Sequence, residues 1–190
     1  ADLLTAYENG QFLTRSFSKT VSQTTATGIW FDLSMSPGNP VPQYYFAAPL
    51  TATALSRSAD GGIDHGPLQT GSTKYIAKVL LQTINAATVP LGVEFLDYLM
   101  FYPGIAMDVG PQSLTTSIDV PRYPTGEGVA IMAIEQNSYV GAARFFLTYT
   151  NQDGVTGKVT PTVTCNSQVA TGTVATSATA TANAMGRFIP

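Results

Sequence analysis

The chain has 190 residues and a net charge of -3; 44% of its residues are hydrophobic and only 11% charged, against about 25% charged in a typical globular chain. Nine Lys+Arg against twelve Asp+Glu exclude a domain that grips phosphates through clustered cations, and the hydrophobic content excludes general disorder. Thr, Ser, Asn, Gln and Gly must replace the missing charge on the surface, or partner subunits must cover it.

Residues 2–9 predict one or two helical turns closed by Gly10, with Leu3, Leu4 and Tyr7 on one side. From Phe12 the texture changes to alternating apolar and polar positions rich in Thr and Phe, a half-buried strand pattern. A second strand is expected over Gly28–Leu33, ended by the turn cluster Ser36-Pro37-Gly38-Asn39-Pro40, and a short aromatic one at Tyr44-Tyr45-Phe46. Residues 57–73 form a polar loop with four glycines. Beyond it, 74–81 is open to helix or strand, and strand is favoured because Val79, Leu80 and Leu81 run on to Thr83 and Ile84. Val93–Tyr98 reads as another.

The most apolar patch, Tyr98–Tyr102, stops at Pro103-Gly104. Further strands are expected at 114–120, 128–134 and 143–150. The last of these turns at Asn151-Gln152-Asp153-Gly154 and returns through 155–163 as a hairpin. Eight or more short strands between Gly/Pro loops predict an all-β fold, an antiparallel β-sandwich with the jelly-roll among its forms, carrying a short N-terminal helix and an extended C-terminal arm. The expected organisation is 1–11 as helical segment or arm, 12–166 as sandwich, and 167–190 as an Ala/Thr-rich extended arm or linker. That last stretch has neither charge nor aromatic from 167 to 186 and cannot fold by itself.

No secretory signal opens the chain, since Ala1-Asp2-Leu3-Leu4 is acidic at once. The two longest uncharged runs, 33–56 and 159–186, are interrupted by Pro and Gly or filled with Thr and Ser. Neither meets the need of a bilayer span for about 20 mostly apolar residues. Cytoplasmic synthesis without membrane insertion is the expectation.

Catalytic residue types are scarce. One cysteine, Cys165, allows no intrachain disulfide, and one histidine, His65, excludes a multi-histidine metal site. Asp60, Asp64 and His65 share the Gly-rich loop but lack the regular spacing of a calcium loop, so turn-making is the simpler role. No G-x-S-x-G elbow accompanies His65 for a hydrolase, and Cys165 sits in a strand-like context suited to a buried, inert thiol. Gly126-Glu127-Gly128 lacks the third glycine of a dinucleotide site. Glu94 and Asp97 stand three apart, on opposite faces of a strand, which defeats a glycosidase pair. No enzyme, metal or cofactor is expected. The aromatics remain: Tyr44, Tyr45, Phe46, Tyr98, Phe101, Tyr102 and Tyr123, with Phe188 and Ile189 at the end, are the expected interface residues. Tyr in particular offers apolar area with a polar tip.

Several short segments carry a resemblance: Asp2–Gly10; the Trp30 strand with its Gly38-Asn39-Pro40 turn; Gly61–Gly66; Phe101-Tyr102-Pro103; Val120–Tyr123; and Tyr149–Gln152 with Gly157 and Thr160-Pro161. On these the chain resembles tailed-bacteriophage structural proteins associated with the capsid, over most of residues 2–161. The resemblance implies a non-enzymatic virion protein that decorates or reinforces the head shell or its vertices, with the major capsid protein as partner. Members of that group continue past the counterpart of Arg187-Phe188-Ile189-Pro190. Low charge removes the desolvation cost of burying Lys or Glu between subunits, and many copies on a lattice gain by avidity. The expectation is a virion component that self-associates, a trimer being favoured, and binds neither nucleic acid nor membrane. Three alternatives stand: a tail or baseplate component; a carbohydrate- or receptor-binding module stacking sugars on Tyr44–Phe46 or Tyr98–Tyr102; and a hydrolase centred on His65.

Overall fold

Leu3–Glu8 (α1) is a six-residue helix closed as the sequence predicts. Gly10 takes a left-handed φ of +66°, which places its N–H on Tyr7 O (3.0 Å) and the N–H of Gln11 on Ala6 O (2.8 Å). Among the described residues everything after it is strand and loop, with one further helical turn, the 3₁₀ segment Leu33–Met35. The computed structural model describes residues 3–21, 28–55, 61–67, 71, 73–84, 92–137, 139–141, 143–166, 168–177 and 188–189.

The strands are two residues each, and each pairs antiparallel with one other. In chain order they are β1 (Ser18–Lys19), β2 (Gly38–Asn39), β3 (Thr53–Ala54), β4 (Met100–Phe101), β5 (Tyr139–Val140), β6 (Arg144–Phe145), β7 (Thr148–Tyr149), β8 (Lys158–Val159), β9 (Val163–Thr164) and β10 (Gln168–Val169). β1 pairs with β2 and β3 with β4. The other three ladders are nested, β7 with β8, β6 with β9 and β5 with β10, so residues 139–169 make one long irregular hairpin. Its tip is the predicted one: Asn151 N–H donates to Val155 O (3.1 Å), Gly154 N–H to Asn151 O (3.0 Å), and the Asn151 side chain accepts from Asp153 and Val155. The chain is strand-containing with little helix. The described ladders are small and separate, and two packed sheets do not emerge from them.

The polar Ala/Thr stretch forms the centre of the molecule. Residues 172–177 run between two extended segments and bond to both. On one side Asp32 N–H donates to Gly172 O (2.7 Å) and Val174 N–H to Trp30 O (2.9 Å); on the other, Glu135 N–H donates to Thr173 O (2.9 Å) and Ala175 N–H to Ala133 O (2.8 Å). Thr173 pairs with Phe31 and Val174 with Ile134, both antiparallel. Thr173 and Thr176 are fully buried, as are Val174, Ala175 and Ser177. With Met35, Val163 and Cys165 they make a small core in which short side chains let backbones approach closely. Ile189 returns to pair with Ile131 (N–H to O, 2.8 Å).

The expected strand over 12–23 reduces to Ser18–Lys19 within the described residues. The expected strand at 74–81 forms no regular element and joins no ladder among the described residues. Periodicity reports which way side chains alternate; a ladder also needs a neighbour, and this segment has none in its own chain.

Candidate interaction surface

The aromatics singled out by the sequence separate into an inner and an outer group. Tyr45 packs on Phe101 (ring centroids 5.3 Å, 56° between planes) and on Tyr98 (6.3 Å, 60°), in the tilted and edge-on arrangements aromatic rings prefer. β4 supplies Phe101, anchored against Thr53, and the residues leading into it supply Tyr98. Tyr45 sits at a left-handed φ of +50°, turned out of line with its neighbours. Its hydroxyl bonds the Ser34 hydroxyl at 2.5 Å. Tyr44 and Phe46 point the other way, and Phe46 is 84% exposed. Their rings lie 6.2 Å apart and tilted by 44°.

Beneath the inner group lies a buried carboxyl. Asp32 caps the 3₁₀ turn, its Oδ1 accepting from Ser34 N–H at 2.8 Å, while Oδ2 is buried with no hydrogen-bond partner. Burial pushes this carboxyl above its usual range, opposed by the Ser34 bonds, the Tyr98 hydroxyl dipole and the charge of Lys19. The same burial, with the Asp32 charge, raises Tyr98 well beyond an ordinary phenol, so its hydroxyl stays protonated. Lys19 is pushed down by its own burial and partly restored by Asp32; its ammonium donates to the Ser36 and Pro40 carbonyls. The cluster is a polar plug under an aromatic cap, and it holds Tyr45 and Tyr98 rather than presenting a reactive group.

Arg122 fastens the segment that delivers Tyr98. Its guanidinium forks onto Asp97 (Nη2–Oδ1 2.7 Å, Nε–Oδ2 3.1 Å) and donates to Tyr98 O at 2.9 Å. Tyr102 bonds Thr116 through its hydroxyl (2.9 Å), Tyr123 stands on the surface, and Phe188 and Ile189 are half-buried along Ile131. The nine expected interface residues therefore do not form one patch. Tyr45, Tyr98 and Phe101 come together inside; Tyr44, Phe46 and Tyr123 are outside.

Two apolar surfaces were not singled out by the sequence reading. Leu3, Leu4, Tyr7 and Phe12 line an open apolar dish of about 490 Å³, with Tyr7 edge-on to Phe12 at 6.0 Å. The larger one is the segment 75–84. Tyr75 is 85% exposed, Leu80 81% and Ile84 fully, with Ile76, Val79 and Leu81 exposed beside them. From Tyr75 through Gln82 no backbone N–H or C=O is hydrogen-bonded. The signal was there, an apolar run of strand character, but exposure cannot be read from a run that looks like core.

Chemistry-bearing residues are scattered. Asp64 closes a turn, its Oδ1 accepting from Gly66 N–H (2.8 Å), and His65 beside it is exposed; Asp60 lies outside the described residues. Cys165 is buried and forms no disulfide. No group of three or more His, Cys, Asp or Glu that could hold a metal occurs among the described residues. Among these residues no helix is long and apolar enough to cross a membrane. Compared with protein-family models, curated proteins and solved structures, the chain matches none of them.

Proposed function

We propose that this chain is a non-enzymatic virion structural protein of a tailed bacteriophage, one that self-associates, with a trimer favoured, and docks on the major capsid protein to decorate or reinforce the shell. The observation that carries the reading is the segment 75–82: eight consecutive exposed residues, six of them apolar, with every backbone group unpaired. Exposed apolar surface joined to an open edge marks a subunit whose surface is completed by a neighbour. Low charge fits the same role, since few Lys or Glu must be desolvated in subunit contacts. The antiparallel ladders fit a β-sandwich whose sheets are extended by such contacts.

The test is co-sedimentation with empty shells assembled from the major capsid protein of the same phage. Saturable binding at a fixed ratio to capsid subunits is expected. A chain that stays in the supernatant while the shells pellet overturns the docking role.

A further inference from the structure

We propose that Asn9-Gly10 is a self-modifying site, at which the Gly10 amide nitrogen closes on the Asn9 side chain and converts it, through a succinimide, to aspartate and isoaspartate.

Three observations carry it. The first is the pair itself. Gly10 is the only glycine that directly follows an asparagine in the chain, and a nitrogen whose own residue lacks a side chain attacks the carboxamide carbon with least hindrance. Nothing lies within 4 Å of the place a Gly10 Cβ would take, so the surroundings leave the ring room to form. The second is a free side chain. Asn9 is exposed and its carboxamide makes no hydrogen bond among the described residues, while its backbone N–H is held by Thr5 O at 3.1 Å. The third is the frame. α1 has six residues and none is buried, and a helix that short is marginal in water. The Gly10 N–H bond to Tyr7 O (3.0 Å) closes the last turn and opens as that end frays, which releases the nitrogen to turn on Asn9.

The other asparagines lack this combination. Asn39 precedes Pro40, whose nitrogen carries no hydrogen; Oδ1 of Asn151 accepts from the N–H groups of Asp153 and Val155; and Nδ2 of Asn166 is buried. Asn137 is exposed but is followed by serine, and Asn85 and Asn183, outside the described residues, are followed by alanine.

In the reaction the bond from Gly10 N to Asn9 Cγ forms, the Cγ–Nδ2 bond breaks, and ammonia leaves with the former amide hydrogen. Water then opens the five-membered ring. Attack at the side-chain carbonyl gives aspartate; attack at the main-chain carbonyl gives isoaspartate, whose backbone is longer by a methylene. Either product puts a carboxylate at the C-terminal end of α1, where the helix dipole disfavours it. Isoaspartate also displaces Gly10 and Gln11 from the carbonyls of Tyr7 and Ala6. Leu3, Leu4 and Tyr7 then lose their fixed relation to Phe12, and the apolar dish comes apart as the chain ages.

The experiment is incubation at pH 8 of the full chain, of Asn9→Gln and of the free peptide 7–12, followed by peptide mapping with mass spectrometry. Exchange of ammonia for water adds about one dalton. The expected result is conversion at Asn9 at least about tenfold faster than at any other asparagine, with aspartate and isoaspartate both present. Asn9→Gln, which would have to close a six-membered ring, should gain no mass there. The nuclear Overhauser contact between the Tyr7 and Phe12 rings, whose centroids are 6.0 Å apart, should be lost on conversion. An Asn9 that is unchanged in the full chain after the free peptide has fully converted overturns the site. Conversion that leaves the Tyr7–Phe12 contact in place overturns its effect on the dish.

Discussion

Trp30 donates its backbone N–H to the hydroxyl of Ser177 at 3.0 Å, across 147 positions of sequence. The Ser177 hydroxyl in turn donates a hydrogen bond to Val174 O at 2.6 Å, and Ser177 is buried. One small side chain thus ties an early strand to the late Ala/Thr stretch. Ser177→Ala leaves the Trp30 N–H without its acceptor and is expected to cost about 1–3 kcal/mol in urea denaturation. Truncation after residue 166 removes the whole buried 172–177 segment as well and should leave a chain without cooperative unfolding.

Glu135 makes stability pH-dependent. Burial raises its carboxyl to about 7 from the ordinary 4.5. A carboxyl whose pKa is higher folded than unfolded takes up a proton on folding, so its contribution is best below about 4.5 and worsens as pH rises to about 7. Glu135→Gln should flatten that part of the profile and gain on the order of 1–2 kcal/mol at pH 8, allowing for partial exposure. Equal pH slopes for the two proteins between 4.5 and 7 would refute the assignment.

Asp32 has two roles that substitution separates. Its Oδ1 caps the 3₁₀ turn while its charge is buried beside an unpartnered Oδ2. Its raised pKa has the same sign as that of Glu135: acidification relieves the cost and neutral pH imposes it. Asp32→Asn keeps the cap without the charge and should melt higher than wild type at pH 8. Asp32→Ala should be less stable than Asp32→Asn by about 1 kcal/mol, the worth of a cap. Melting curves of the three proteins at pH 8 decide the order.

Gly38 is required by contact as much as by conformation. At φ +138° a Cβ would lie 1.9 Å from Ser18 O, inside the β1–β2 ladder. The clash is with backbone and has no side chain to move aside. Gly38→Ala should cost at least about 2 kcal/mol, measured by denaturation, and should speed amide exchange at Lys19 and Thr20.

What was legible in the sequence follows from which signals are local. Gly10 ending α1 and Asn151–Gly154 turning the hairpin are local chemistry, and both stand in the structure. The Tyr45–Tyr98–Phe101 group was visible as residue types, but its inward packing depends on Asp32 and Ser34, far away in sequence. The central place of 172–177 left no mark in hydropathy, because Thr, Ala and Ser bury well only when two neighbouring backbones accept their hydrogen bonds. Conversely 75–84 reads as core, since an exposed apolar run has the same composition as a buried one.

The most direct test of the central claim is the solution mass of the full chain by light scattering over a range of micromolar concentrations. Self-association through an unfinished surface predicts a stable oligomer, with three times the 20.0 kDa chain mass favoured. A mass of one chain at every concentration would contradict it.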